Sequence, residues 1–163
     1  MDLTVADVMT RDVTTLGPEL SLTQMDHILL SAKIGAAPVI EDGHLIGIAS
    51  RSDVIRLLAG EQSRAERISG FYSSPFPIGL DALEHLARDS RVIADRMTKT
   101  RVRDIMTRDI EYLSPEDNVE AAARFMWGEG FHHVPVVSNG RLMGILSAMD
   151  LVRLIGERGL SKS

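Results

Sequence analysis

The sequence contains no cysteine among its 163 residues. This absence excludes a disulfide scaffold, a cysteine-ligated zinc site, an iron–sulfur cluster and a thiol nucleophile, and it fits a reducing compartment. The sequence also lacks any uninterrupted apolar run near the roughly 18 residues that a membrane span needs. Its first residues carry acids where a signal peptide carries bases, and no apolar segment follows them. We therefore expect a soluble, cytoplasmic protein with no membrane partner.

The sequence has no excess of basic residues. It contains 18 lysines and arginines against 23 acids, which gives a net charge of −5 with neutral histidines. Non-specific nucleic-acid binding depends mainly on the neutralisation of phosphates by Lys and Arg, so a nucleic-acid partner is not expected. The hydrophobic fraction of 44% and the charged fraction of 25% exclude a wholly disordered chain.

An internal repeat is the strongest pattern that is present. The segment Val5–Val13 reappears as Val102–Ile110, an offset of 102 − 5 = 97 residues. Between residues 5 and 58, 19 of 54 positions are identical to their counterparts, and no gap is needed. We therefore divide the chain into a first repeat at 1–59, a connector at 60–101 and a second repeat at 102–163.

Each repeat has the pattern of a β-α-β-β-α unit, so we predict a mixed α/β (α+β) fold. A short β-branched run at 13–16 predicts the first strand. Ser21 and Gln24 have the spacing of a capping box at the start of a helix. A second helix is predicted after Ser50. One unit of about 50 residues would be marginal alone, so we expect the two units to cover each other.

A β-hairpin is predicted in the middle of each repeat. The Asp42–Gly43 pair lies between two apolar runs, and the second repeat keeps the same device as Asn139–Gly140. Asp-Gly and Asn-Gly favour the tight primed turn whose twist matches that of the flanking strands. The hairpin strands are therefore expected on either side of both pairs.

The connector at 60–101 differs in composition from the repeats. Residues 71–78 contain three aromatics and two prolines, which predicts an ordered loop. Apolar spacing predicts short helices at 80–87 and 93–97. A connection of this length usually carries structure or function, but its residues do not indicate which.

No catalytic motif is present. The sequence has no Gly-x-Ser-x-Gly nucleophile elbow, no Gly-x-Gly-x-x-Gly loop and no Walker loop. Nearly every residue outside the connector belongs to a repeat, so we predict that the protein is not an enzyme and has no cofactor. His132 and His133 are neighbours, and neighbours on a strand point to opposite faces, so no metal site is predicted.

The repeats resemble a tandem pair of CBS domains, also called a Bateman module. Each opens with Asp-x-Met-Thr, is centred on Pro-Val and ends with Gly-Ile-x-Ser-x-x-Asp. The resemblance implies two repeats packed sheet to sheet with pseudo-two-fold symmetry and joined by a partly helical connector. It further implies a regulatory module whose two clefts, between the repeats, bind an adenosine-containing ligand such as AMP, ATP or S-adenosylmethionine. The regulated partner protein is not identified.

The resemblance also implies the ligand-binding residues. Asp53 and Asp150 would hold ribose hydroxyl groups, and Ser50 and Ser147 would lie beside backbone N–H groups that suit a phosphate. The adenine would lie near the first strand and just before Pro-Val. In the first repeat these positions are Thr10, Asp12, Val13, Ile34, Ala36 and Ala37. In the second repeat they are Thr107, Asp109, Ile110, Phe131, His133 and Val134, with His132 on the surface.

These positions also have a purely structural interpretation. Ser-x-x-Asp is itself a capping box, so Ser50 and Asp53 would serve the helix alone. The apolar positions would pack in the core. Arg51 has no counterpart in the second repeat, where Ala148 stands. A cation at Arg51 can reach a phosphate, which predicts tighter nucleotide binding in the first cleft, whereas the alternative is a solvated surface arginine.

The resemblance implies a homodimer formed through helices, with Trp127 near an interface. The apolar stripes predicted to contribute are Met25, Ile28 and Leu29 in the first repeat and Phe125 and Met126 in the second. Two other functions stay open, namely a ligand-free dimerisation or interaction module and a regulatory piece of a larger enzyme or transporter system. The start at Met1 and the polar end at 159–163 favour a complete small protein.

Overall fold

The computed structural model describes residues 3–59 and 90–159. Within these ranges the helices are α1 (Val5–Val8), α2 (Leu22–Ser31), α3 (Arg51–Ala59), α4 (Ser90–Lys99), α5 (Val102–Ile105), α6 (Val119–Glu129) and α7 (Ala148–Arg158). The strands are β1 (Ala36–Glu41), β2 (His44–Ser50), β3 (His133–Ser138) and β4 (Arg141–Ser147). The predicted mixed α+β class is confirmed. No helix in the described ranges has both the length and the apolar character needed to cross a membrane.

The described residues belong to two compact units, which we name after the acid of their closing motif. The Asp53 unit runs from Thr14 to Ile110. The Asp150 unit joins the residues up to Val13 to those from Glu111 onward. The opening segment of the first repeat, with α1, therefore belongs to the Asp150 unit, and that of the second repeat, with α5, belongs to the Asp53 unit. The boundaries of the compact units therefore differ from those of the sequence repeats.

Both predicted hairpins are confirmed. Strand β1 pairs with β2, and β3 pairs with β4, each in antiparallel orientation. Asp42 and Gly43 have φ values of 50° and 79°, and Asn139 and Gly140 have values of 51° and 75°. Two consecutive positive φ angles are characteristic of the primed turn, which Asn, Asp and Gly adopt at the lowest cost.

The first predicted strand is reduced to a single bridge in each repeat. Leu16 forms a parallel bridge with Val39, and Leu113 forms the equivalent bridge with Val136. A strand needs successive paired residues, and here the chain contacts the hairpin at one position only. The prediction of a strand at 13–16 is therefore wrong, although its last residue pairs with β1.

Helix α2 begins at the predicted capping box. Ser21 N donates to Gln24 Oε1 at 2.9 Å, and Gln24 N donates to Ser21 Oγ at 3.2 Å. These two bonds satisfy backbone and side-chain groups that the first turn of a helix otherwise leaves unpaired. The core of the Asp53 unit consists of Leu16, Leu22, Met25, Leu29, Ala37, Val39, Ala49, Val54, Val102 and Met106.

The apolar stripes predicted to form a dimer contact are covered within their own units. Met25, Leu29 and Met126 are buried, and Ile28 and Phe125 are half-buried. A side chain that fills the core of its own unit has no surface left for another subunit. The prediction that Met25, Leu29 and Met126 contribute to a dimer contact is therefore wrong.

The other helix predictions divide between described and undescribed residues. The helix predicted after Ser50 is confirmed as α3, and the one predicted at 93–97 is confirmed as part of α4. The ordered loop predicted at 71–78 and the helix predicted at 80–87 lie outside the described residues.

Candidate functional site

The closing motif of the first repeat forms a buried capping box at the start of α3. Ser50 N and Ser50 Oγ both donate to Asp53 Oδ2 at 2.8 Å. Asp53 N donates in return to Ser50 Oγ at 3.2 Å. Arg56 Nη1 lies 3.4 Å from Asp53 Oδ1. One carboxylate oxygen therefore serves the helix start, while the other lies near a cation.

The closing motif of the second repeat has the same arrangement at the start of α7. Ser147 N and Ser147 Oγ donate to Asp150 Oδ2 at 2.9 and 2.7 Å. The other oxygen, Asp150 Oδ1, accepts a bond from Thr10 Oγ1 at 3.1 Å and lies 3.2 Å from Arg153 Nη2. A hydroxyl group of the opening segment therefore reaches the acid that the sequence predicts to bind ribose.

Backbone pairs hold each opening segment beside a closing motif. In the Asp150 unit, Thr10 N donates to Ile145 O, and Ile145 N donates to Thr10 O, both at 2.9 Å. In the Asp53 unit, Thr107 N donates to Ile48 O at 2.8 Å, and Ile48 N donates to Thr107 O at 2.9 Å. Each threonine is thereby held opposite the isoleucine that lies two residues before a closing serine.

A glycine beside each backbone pair permits this close approach. A Cβ atom at Gly144 would lie 2.6 Å from Thr10 O and 2.8 Å from Met9 Sδ. A Cβ atom at Gly47 would lie 2.6 Å from Met106 Sδ. Contacts under 3.0 Å essentially never occur for real Cβ atoms. In each unit, the glycine of the closing motif therefore packs directly against the Met-Thr pair of the opening motif.

The structure regroups the predicted ligand-binding residues. Each opening segment packs on the hairpin of the other repeat, so each compact unit contains predicted positions from both repeats. The Asp150 unit contains Thr10, Asp12, Val13, Phe131, His133, Val134, Ser147 and Asp150. The Asp53 unit contains Ile34, Ala36, Ala37, Ser50, Arg51, Asp53, Thr107, Asp109 and Ile110.

Arg51, the predicted phosphate-binding cation, has a partner within the chain. Its Nε donates to Asp26 Oδ1 at 2.8 Å, which joins α3 to α2. At the repeat offset the counterparts of the two residues are Ala148 and Ala123, so the second repeat lacks the pair. Both side chains are partly exposed, and such pairs contribute about 0–1 kcal/mol. A phosphate is therefore able to compete with Asp26 for Arg51.

Two arginines near the predicted acids were not predicted. Arg56 and Arg153 occupy equivalent positions in the repeats, and each lies three residues after its acid. Side chains at this spacing are neighbours on a helix surface. The sequence signal that could have indicated them is that both repeats have arginine at this position.

The sequence profile of the CBS domain family matches residues 5–60 and 102–157 of this chain. The chain belongs to the CBS domain family. Two proteins of Methanocaldococcus jannaschii are each 28% identical to it over 93% of its length. The chain covers 42% of the first, MJ1225, and 90% of the second, MJ1426. It therefore spans less than half the length of MJ1225.

A solved CBS structure is similar to this chain along nearly its whole length. It is CBSX2 of Arabidopsis thaliana in complex with AMP, and it is 25% identical with a TM-score of 0.66. The similarity covers 96% of this chain and 98% of that one. The family and the overall fold inferred from the repeats are thus confirmed.

The hairpin register of each CBS repeat brings two predicted positions together. Ala36 lies opposite Ser50, and His133 lies opposite Ser147. Ala36 is half-buried and His133 is exposed. The residue two positions before Pro-Val therefore lies directly across the hairpin from the closing serine in both units.

The other apolar candidates differ in how accessible they are. Ala37 and Val134 are fully buried, so their side chains belong to the core. Phe131 is buried and packs edge-to-face on Phe125, with ring centroids 5.6 Å apart. Ile34 is exposed. Of these residues, only Ile34 offers an accessible apolar side chain.

The remaining predicted positions follow the two threonines in the opening segments. Asp12 and Asp109 are exposed, whereas Val13 and Ile110 are half-buried. Each pair is equivalent at the repeat offset and has the same exposure in both units. At these two positions the opening segments therefore have the same exposure in both units.

An ion-pair cluster fastens the opening segment of the Asp53 unit to its hairpin. Arg103 Nη2 lies 2.8 Å from Glu41 Oε1, and the same guanidinium pairs with Glu19. The bonds to Glu41 and then to Glu19 raise the pKa of Arg103. At the repeat offset the position of Arg103 is occupied by Ala6, so this attachment belongs to one unit alone.

The two neighbouring histidines lie at the start of β3. His132 and His133 are both exposed, and β3 begins at the second of them. Among residues 3–59 and 90–159, no group of three or more His, Asp or Glu side chains lies close enough to hold a metal ion.

Proposed function

We propose that this CBS domain pair is a regulatory module that binds an adenosine-containing ligand, such as AMP, ATP or S-adenosylmethionine, and signals to a partner protein. The observation that carries the proposal is the helix start of the Asp150 unit, where Ser147 and Thr10 place hydroxyl groups on the buried Asp150 carboxylate. The bound AMP in the similar protein CBSX2 supports the ligand class. A catalytic role is not part of the proposal.

The chemistry of the site suits a nucleoside. A ribose offers two neighbouring hydroxyl donors, and hydrogen bonds to a charged acceptor such as Asp53 or Asp150 are the stronger kind. The positive end of the helix dipole at the starts of α3 and α7 suits a phosphate. Arg51 adds a cation in the Asp53 unit when it exchanges Asp26 for the ligand. We therefore propose tighter binding of charged nucleotides in the Asp53 unit.

Calorimetric titration of Asp53→Asn and Asp150→Asn with AMP, ATP and S-adenosylmethionine tests the proposal. Asparagine keeps the size of the side chain and one oxygen for the helix start, but it loses the charge. We expect each substitution to weaken one site by about tenfold or more, because a hydrogen bond to a charged group contributes roughly 1.5–3 kcal/mol. Asp53→Asn should have the larger effect on ATP.

Asp95→Asn is the matched control. Asp95 forms an exposed pair with Lys99 at 2.9 Å on α4, so the variant removes the same charge away from both closing motifs. Its ligand affinities should equal those of the wild type. A wild-type protein that binds none of the three ligands would rule out the sensor function. Loss of AMP binding in Asp150→Asn alone would reverse the proposed order of the sites.

The exposed apolar residues of the Asp150 unit favour a second proposal, a homodimerisation function. Trp127 on α6 is 87% exposed, and α6 packs against α7. Met149, Val152 and Ile155 recur every three residues along α7 and are also exposed. Aromatic residues and methionine are enriched in protein interfaces. We propose that a second copy of the chain covers this surface.

Sedimentation velocity of Trp127→Ser tests the dimer. We expect the wild type to sediment as a dimer at micromolar concentration and the variant to shift toward the monomer, since interface tryptophans often contribute 2 kcal/mol or more. Leu30→Ser is the control, because Leu30 is the exposed counterpart of Trp127 in the other repeat. A wild-type monomer at high micromolar concentration contradicts the dimer.

A further inference from the structure

The Asp150 carboxylate accepts three hydrogen bonds from the chain itself and lies beside one cation. Its Oδ2 accepts from Ser147 N and Ser147 Oγ. Its Oδ1 accepts from Thr10 Oγ1 at 3.1 Å and lies 3.2 Å from Arg153 Nη2. A carboxylate has about four lone-pair sites, so three hydrogen bonds and an adjacent guanidinium leave no uncontested position for a ligand hydroxyl group.

The groups on the two carboxylate oxygens differ in how readily they can leave. The two bonds from Ser147 close the capping box that starts α7, and their loss would leave groups of the first turn unpaired. The donors on Oδ1 come from exposed side chains, since Thr10 is exposed and the Arg153 side chain is 55% exposed. A ligand hydroxyl group would therefore replace the donors on Oδ1.

Arg153 also attaches the opening segment to α7. Its Nη2 donates to Val8 O, the last carbonyl of α1, at 3.0 Å, while the same nitrogen contacts Asp150. The other donor on Oδ1, Thr10, lies two residues farther along that segment. Of the two groups that a ligand must displace, Arg153 is therefore hydrogen-bonded to Val8, and Thr10 belongs to the same segment.

We propose that Arg153 is a positioning residue that caps Asp150 in the absence of ligand and competes with the hydroxyl groups of a vicinal diol. This inference rests on the proposed function, because it concerns the binding of a ribose at Asp150. Entry of the diol releases Arg153 from Asp150 and so loosens its hold on Val8. The capping arginine sets the affinity of the Asp150 unit and couples its occupancy to the opening segment.

Titration of Arg153→Met with adenosine tests the competition. Methionine keeps an unbranched apolar side chain and removes the guanidinium, and the uncharged nucleoside avoids any effect on a phosphate. We expect adenosine to bind about two- to fivefold more tightly, the change that follows from losing one partly exposed ion pair. The affinity for 2′,3′-dideoxyadenosine, which lacks the diol, should not change.

Two further variants separate capping from a general loss of charge. Arg153→Lys keeps a cation and should return the adenosine affinity to the wild-type value. Arg124→Met removes an arginine from an exposed pair with Glu120 on α6 of the same unit and should have no effect. The titrations are made both in the wild-type chain and with Asp53→Asn, so that the Asp150 unit is observed alone.

The outcomes separate this inference from the proposed function. Weaker adenosine binding in Arg153→Met, or an equal change for adenosine and dideoxyadenosine, overturns the capping role while adenosine binding itself stands. If neither the wild type nor Arg153→Met binds adenosine, the proposed ligand class is wrong for this unit, and the capping role is wrong with it.

Discussion

Leu29→Ala is expected to lower the free energy of unfolding by about 2–5 kcal/mol, the usual range for a buried leucine. Leu29 lies on α2 and is fully buried in the core of the Asp53 unit. The substitution loses the transfer free energy of the missing isopropyl group. It also leaves a cavity, because the surrounding side chains relax only partly.

Leu30 is the matched control for this prediction. It is the next residue on α2, but it is 52% exposed. Leu30→Ala should change the stability by less than about 0.5 kcal/mol. Urea denaturation measures both variants, and the midpoint should shift for Leu29→Ala with little change of slope. Equal losses for the two leucines would contradict the buried face assigned to α2.

The features that the sequence predicts correctly are local ones. The primed turn at Asp42–Gly43 and the capping box of Ser21 and Gln24 each depend on a few consecutive residues. The backbone preferences of those residues decide the structure with little help from the rest of the chain. The family motifs add the closing Ser and Asp, and the structure places both at helix starts as expected.

The partner of each opening segment could not be predicted in this way. Val5–Val13 and Val102–Ile110 have nearly the same sequence, and Gly47 and Gly144 offer them equivalent positions on the two hairpins. The packing at these glycines therefore does not distinguish pairing within a repeat from pairing between repeats.

The surroundings of the predicted acids were likewise only partly predictable. The sequence asymmetry at Arg51 led to a phosphate-binding role, whereas the structure pairs Arg51 with Asp26, 25 residues earlier in the chain. The cations beside the acids are Arg56 and Arg153, which the repeats share. The arginine that differs between the repeats pairs with Asp26, whereas the two arginines that the repeats share lie beside the predicted acids.

Gly144→Ala is expected to destabilise the protein by about 3 kcal/mol, at the upper end of the range for overpacked sites. The added Cβ would lie 2.6 Å from Thr10 O, which is a backbone atom held by the paired bonds with Ile145. Relief of this contact requires the opening segment to separate from β4. The free energy lost therefore includes part of the contact that positions Thr10 beside Asp150.

Gly47→Ala should cost less, about 1–2 kcal/mol, although the glycines are equivalent in sequence. Its nearest contact, at 2.6 Å, is Met106 Sδ, near the end of a flexible side chain, and Thr107 O is farther away at 3.1 Å.

Gly156→Ala on α7 is the control, because nothing lies within 4 Å of its Cβ position and alanine stabilises a helix by roughly 0.5–1 kcal/mol relative to glycine. Thermal and urea unfolding of the three variants should give the order Gly156→Ala, Gly47→Ala, Gly144→Ala from most to least stable. Equal stability of Gly144→Ala and Gly156→Ala would show that the opening segment does not pack against β4.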